Sequence, residues 1–249
     1  MKSEETFEVK SIFNNIEKEF KNFKTNGKAS KIGHFFNERN IVVKYAKSSL
    51  NHKTIGVFKG KKINGLAFMI YSDKNLYYGS FVNSKKEGYG IHLYSNGLCF
   101  QGSYSNDKKA SGVVIEYSTG KIVYEGGWQN DTYQGLGYFY NPKTGSTYIG
   151  QFDNGKMCGF GKLQWKNGDS YEGEFRRNTL YGKGILRFTD SNSIEGYFKN
   201  GVYIGKEESN ISSSEDISLK NSVYSNNRYL NSFSQMRMSM NSSILNFDI

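Results

Sequence analysis

Aromatic or aliphatic residues alternate with polar ones along this chain in runs of five to seven positions, and short Asn, Gly, Lys and Asp segments separate the runs. A period of two marks a strand packed on one face, and the polar breaks are turn signals. The pattern predicts β-hairpins in series. Each run is centred on glycine, as in Tyr77-Tyr78-Gly79-Ser80-Phe81, Tyr148-Ile149-Gly150-Gln151-Phe152 and Tyr171-Glu172-Gly173-Glu174-Phe175. The central glycines Gly56, Gly79, Gly102, Gly126, Gly150, Gly173 and Gly196 stand 23 or 24 residues apart. A period that constant signals a tandem array rather than an enzyme core.

The return half of each unit is also in register, with paired glycines at Gly88/Gly90, Gly135/Gly137, Gly159/Gly161 and Gly182/Gly184. Alternation puts Tyr171, Gly173 and Phe175 on one face and Glu172 and Glu174 on the other. If Phe175 lies opposite Gly182, Gly173 lies opposite Gly184, leaving a stripe of bare backbone. Glycine admits close approach, so the stripe is expected to accept an aromatic ring from a neighbouring hairpin. A lone hairpin is marginal in water, which makes stacking of the units obligatory. Beyond the paired glycines an aromatic recurs once per unit, at Tyr94, Tyr117, Tyr140, Trp165 and Phe188, with Tyr140 one position early. These residues are expected to pack as a ladder, part of which lines a groove for a partner.

Tyr-x-Gly-x-Phe followed by Gly-x-Gly-x-x-x-aromatic, repeated over residues 54 to 205, resembles the membrane occupation and recognition nexus (MORN) repeat family. The resemblance implies an all-β, elongated single-layer array of stacked β-hairpins, six repeats plus a partial closing one. It also implies a noncatalytic binding module, since such repeats occur in ciliary, flagellar and cytoskeletal assemblies and beside lipid kinases, methyltransferases and membrane-junction proteins. The expected function is a scaffold joining the proteins of a multi-subunit assembly, ciliary/axonemal or cytoskeletal. The alternative is a peripheral adaptor on an anionic membrane surface.

Two further segments flank the array. In residues 1 to 53, Val9, Ile12, Phe13, Ile16, Phe20 and Phe23 share one side of a helix with acidic residues early and lysines late, which suits the helix dipole. This predicts an N-terminal capping helix, followed by a degenerate capping segment at Gly33 with a return strand near Ile41 to Tyr45. Residues 206 to 249 turn abruptly rich in Ser and Asn, a composition expected to give an extended or disordered tail. Spaced anchors at Tyr224, Tyr229, Leu230, Phe233 and Met236 suit an extended peptide that docks on a partner.

Net charge is +10 over 249 residues, spread thinly across the head and the array. No nucleic-acid signature accompanies it, so no nucleic-acid partner is expected. Basic pairs do recur in the hairpin loops of three successive units, at Lys61/Lys62, Lys85/Lys86 and Lys108/Lys109, as candidate contacts to an acidic partner or lipid headgroups. The N-terminus lacks the apolar core of a secretory signal, which predicts a cytoplasmic location, and the resemblance implies the cytoskeleton or a cilium/flagellum within it. Two cysteines, Cys99 and Cys158, are too few for a disulfide framework. The Gly-x-Gly pairs lead into strands rather than a helix N-terminus, so they are not read as phosphate loops. His34, His52 and His92 fall at unrelated places in the period, and no catalytic residue, metal, cofactor or small-molecule substrate is expected.

Overall fold

The computed structural model describes residues 43–48 and 52–207. The expected N-terminal helix, the segment at Gly33 and the tail anchors Tyr224, Tyr229, Leu230, Phe233 and Met236 lie outside the described residues. Every regular element among the described residues is a β-strand. The chain divides into two compact units, Met1–Ile122 and Val123–Ile249.

In the first unit, β1 (Val43–Lys47), β2 (Lys53–Lys59), β3 (Lys62–Ile70), β4 (Leu76–Val82), β5 (Lys85–Leu93), β6 (Leu98–Ser105) and β7 (Lys108–Glu116) pair antiparallel in chain order. The second unit repeats the scheme with β8 (Lys121–Gln129, from Val123 onward), β9 (Thr132–Tyr140), β10 (Thr147–Asp153), β11 (Lys156–Gln164), β12 (Ser170–Arg176), β13 (Thr179–Arg187), β14 (Ser193–Lys199) and β15 (Val202–Gly205). β1 reaches back before residue 54, pairing Val43 with Val57.

Two-residue turns close the hairpins, with both central residues at positive φ: Asn83-Ser84, Asn106-Asp107, Asn130-Asp131, Asn154-Gly155, Arg177-Asn178 and Asn200-Gly201. That is type I′ geometry, whose twist matches the twist of the flanking strands, and Asn and Gly tolerate it best. The turn chemistry explains why a polar pair at each of these points folds the chain back on itself.

Register departs from the sequence expectation at one place in each hairpin. Gly173 does pair with Gly184, but Phe175 pairs with Leu180 rather than Gly182, because the register shifts between Gly173 and Glu174. Gly182, at φ 57, takes up the extra residues of this bulge and faces Phe198 on the following strand. The same shift recurs between Gly79 and Phe81 and between Gly150 and Gln151.

The bare stripe is filled from within its own hairpin. A Cβ on Gly184 would collide with the ring of Tyr171, whose hydroxyl donates to the Glu174 carbonyl at 3.1 Å and to the Tyr181 carbonyl at 3.2 Å. Neighbouring hairpins contribute an edge instead, as Phe198 meets Tyr171 at 5.0 Å between ring centroids and 81°. Tyr148 and Phe175 repeat that contact at 5.0 Å, and Tyr77 and Tyr104 at 5.3 Å. Edge-to-face pairs of this kind add about 0.5 to 1.5 kcal/mol each beyond area burial.

The opposite faces of the two units differ. In the second unit Glu172 pairs with Arg187 at 3.1 Å and Lys183 with Glu195 at 3.6 Å, exposed contacts that add little to stability. The first unit instead carries a second apolar cluster there, in which Phe68 packs against Leu76, Tyr78, Ile91 and Leu93. Phe68 and Tyr78 stack at 4.4 Å.

Candidate functional site

The aromatic face of each unit is set by the residue opposite the last aromatic of the glycine-centred run. Ile63 faces Phe58, Tyr133 faces Trp128, Met157 faces Phe152 and Leu180 faces Phe175. In the first unit this place goes to a lysine twice, with Lys86 opposite Phe81 and Lys109 opposite Tyr104. Alternation along a strand therefore splits Lys85/Lys86 and Lys108/Lys109, whereas Lys61 lies in the turn before β3. Lys85 and Lys108 are exposed, as are Lys61 and Lys62, whereas Lys86 is half-buried and Lys109 is 5% exposed.

Aromatic rings surround both ammonium groups. Lys86 Nζ lies 4.8 Å from the Tyr77 ring centroid, 5.2 Å from Tyr104 and 5.4 Å from Tyr71. Lys109 Nζ lies 5.6 Å from both Tyr94 and Phe100. These are cation–π distances, which offset part of the desolvation of a buried charge.

Between the lysines stands His92, 9% exposed and paired with Tyr77 across β4 and β5. Its ring stacks on Tyr94 at 4.3 Å and on Tyr71 at 5.6 Å. Leu163 and Leu186 hold the same register opposite Tyr148 and Tyr171. Burial, reinforced by the charges of Lys86 and Lys109, pushes the His92 imidazole down to about 2, so it is neutral. Burial likewise holds the Tyr71 and Tyr77 hydroxyls well above the ordinary phenol range, with Asp107 adding to both. Asp107 Oδ1 accepts a hydrogen bond from the Lys86 backbone N–H at 2.7 Å.

The expected aromatic ladder is only partly assembled. Tyr94, Trp165 and Phe188 occupy one equivalent place, where each backbone N–H donates to a carbonyl at or just before the start of the next strand (Leu98, Asp169 and Asn192), at 2.8 to 2.9 Å. Asn141, fully buried, takes that place in the unit of β9. Tyr140, one residue earlier, is turned by strand alternation to the face opposite Phe139. Tyr117 is also displaced, lying close enough to Cys99 for the thiol to add to the upward push on its hydroxyl. The cause is a residue more or less in the return strand, which flips the face while barely changing the spacing.

Two features lay outside the sequence expectation. His92 joins the lysines, a link visible only if Lys86, Lys109 and His92 are compared with the apolar residues at their register rather than with other basic residues. In the second unit Leu136, Ile149 and Phe160 are 73%, 61% and 67% exposed. Leu136 pairs with Gln151, two residues from Ile149, and Ile149 pairs with Lys162, two residues from Phe160. The three are thus diagonal neighbours on one face. Among the described residues no three His, Cys, Asp or Glu side chains are grouped as a metal site.

No curated protein matches the chain. Among solved structures, the SAS-4 (dCPAP) TCP domain of Drosophila melanogaster, in complex with a proline-rich motif of Ana2 (dSTIL), is similar at 13% identity and a TM-score of 0.33. That likeness covers 65% of this chain and 94% of the other. The family model of the MORN repeat matches residues 77–99, 124–145, 148–170 and 171–193. Each match begins at or close to the tyrosine that fills a glycine stripe and runs through the return strand. A non-enzymatic repeat that serves protein or membrane interaction therefore forms these hairpins, and the chain is a MORN-repeat protein.

Proposed function

We propose that the chain is a noncatalytic scaffold that joins other proteins within a large assembly, ciliary/axonemal or cytoskeletal, in the cytoplasm. The observation that carries this reading is the exposed apolar trio Leu136, Ile149 and Phe160 on the second unit. Large apolar side chains clustered on an otherwise charged sheet face mark an interaction surface. Tyr117 and Tyr140, both partly exposed, are further candidate anchors, whereas Tyr94, Trp165 and Phe188 are buried and serve the core. Tyr224, Tyr229, Leu230, Phe233 and Met236 are candidate anchors on the strength of their spacing in the sequence. The test is retention of the tagged full chain in the detergent-resistant cytoskeletal fraction of cells. Leu136→Ser, Ile149→Ser and Phe160→Ser together should abolish retention while leaving the melting temperature nearly unchanged. Equal retention of that variant would sink the reading.

A second reading, a peripheral adaptor on anionic membranes, draws on Lys61, Lys62, Lys85 and Lys108, all exposed beside the turns of successive hairpins. Co-sedimentation with phosphatidylserine vesicles, compared with phosphatidylcholine alone, separates it from the scaffold.

A further inference from the structure

Ile55 and Ile149 hold the same place in the period, one residue before the central glycines Gly56 and Gly150. Ile149 is 61% exposed and Ile55 only 2%. Strand neighbours do not account for the difference, because Ile149 pairs with Tyr138 and Lys162 much as Ile55 pairs with Tyr45 and Phe68. From Ile55 a row of paired residues runs through Phe68, Tyr78 and Ile91 and then, where Leu93 faces Cys99, to Cys99 and Ile115. Phe68 and Ile115 are buried, and Cys99 has no exposure at all. This row lies on the face opposite the tyrosine-filled stripe, so the aromatic core does not cover it. A sheet that is apolar on both faces needs a further layer. Among the described residues of the first unit every regular element is a strand, so that layer comes from another part of the chain or from another molecule.

We propose that residues 9 to 23 dock as this layer, an amphipathic helix laid across β2 to β7 on the face opposite the stripe rather than a cap on the end of the sheet. At about 100° per residue, Val9, Ile12, Phe13, Ile16, Phe20 and Phe23 fall within an arc of about 100°, with Ser11, Asn15 and Lys18 on the far side. One apolar stripe of that width suits one covered face. The lengths also agree, since a helix over residues 9 to 23 spans about 22 Å and the five strand spacings from β2 to β7 span about 24 Å. Connection favours the head over the tail. Residues 1 to 42 precede β1 within the same compact unit, and residues 24 to 42 can extend over about 60 Å, ample to bring the helix back over the sheet. Residues 208 to 249 instead follow β15, in the other unit. A head seated by its apolar arc closes this face of the first unit to partners and withdraws the arc from any membrane surface. Leu136, Ile149 and Phe160 on the second unit then remain as the open apolar patch. The assignment goes beyond the scaffold reading and does not depend on it.

Cys99 is the natural reporter of the cover, since Cys158, the other cysteine, lies in the second unit and is partly exposed. In the full chain, Phe13→Asp, Ile16→Asp and Phe20→Asp together should raise the rate at which iodoacetamide labels Cys99 by about tenfold or more, with the rate at Cys158 unchanged. Tyr229→Asp, Leu230→Asp and Phe233→Asp in the tail should leave Cys99 protected. Protection should also be independent of protein concentration. Cys99 still protected in the head variant, released in the tail variant, or protected only at high concentration would each overturn the proposal, the last two in favour of the tail and of a second copy. A trapping experiment avoids the introduced charges. In the chain carrying Cys158→Ser, Phe13→Cys, Ile16→Cys and Phe20→Cys are made one at a time and oxidised with copper phenanthroline. At least one should bridge to Cys99 within the same chain, read as a shifted band on a non-reducing gel that dithiothreitol reverses. Ser11→Cys, Asn15→Cys and Lys18→Cys should not. No bridge from the apolar arc, or equal bridging from the polar side, would overturn the assignment. Either failure leaves the scaffold reading standing, because that reading turns on Leu136, Ile149 and Phe160.

Discussion

Tyr148 lays its ring across Gly150, two residues along the same strand, and donates its hydroxyl to the carbonyl of Gln151 at 3.0 Å. The same hydroxyl reaches the Cys158 carbonyl at 3.4 Å, so it satisfies both sides of the bulge. A Cβ on Gly150 would collide with that ring and come 2.7 Å from the Cα of Gly161 on the facing strand. Backbone cannot yield there as a flexible side-chain end could. Gly150→Val should therefore lower stability by about 2 kcal/mol or more. Thermal melting is the check, and an unchanged midpoint would mean the ring can leave the stripe without loss.

The turn at Arg177 offers the opposite sign. Arg177 has φ 49 in the place held by Asn83, Asn106, Asn130, Asn154 and Asn200 in the other two-residue turns. Asparagine adopts this left-handed geometry more readily than arginine. Arg177→Asn should raise stability by about 0.5 kcal/mol, read as a higher urea midpoint with an unchanged slope.

His92 gives the fold a pH dependence that can be isolated. The unfolded imidazole takes up its proton near 6.5, while burial delays that step in the fold to about 2. Unfolding therefore gains a proton between these values, so stability is fullest above about 6.5 and declines as pH falls below it. The slope is about 1.4 kcal/mol per pH unit. Melting curves at pH values from about 7 to about 5 should show a steeper fall for the natural chain than for His92→Leu. Parallel curves would show that the imidazole is protonated within the fold.

The two cysteines should differ in reactivity. Burial pushes the Cys99 thiol up to about 12, and Cys99 lies buried between Phe100 and Leu98 on β6, whereas Cys158 is partly exposed. Iodoacetamide attacks the thiolate. It should label Cys158 in the folded protein and spare Cys99, and the difference should vanish in denaturant. Equal labelling of the native protein would contradict the packing of β6.

Hairpins, period and the opposition of Gly173 to Gly184 were legible in the sequence because they depend on neighbours a few residues apart. The bulge was not. Phe175 meets Leu180 rather than Gly182 because Gly182 adopts φ 57, and alternation of residue types carries no mark of that. The same blindness affects Tyr117 and Tyr140, since a spacing wrong by one residue still looks like the motif but reverses the face. Adjacent lysines read as pairs until the strand sends Lys85 and Lys86 to opposite sides. His92 was hidden differently, as it looked isolated among histidines and was conspicuous only against Leu163 and Leu186.

Strictly sequential pairing also has a kinetic consequence. Within each unit every strand bonds only to the strands before and after it, so contacts made in building the sheet span about one repeat of chain. All-β proteins usually fold slowly because they must close long loops before any contact rewards them. Here each new hairpin closes a short loop onto an edge already formed, and the hydroxyls of Tyr124, Tyr148 and Tyr171 find their carbonyls within their own hairpins. Folding should advance hairpin by hairpin, fast for a sheet protein, and unfolding should begin at a terminal hairpin and leave the interior ones protected from hydrogen exchange.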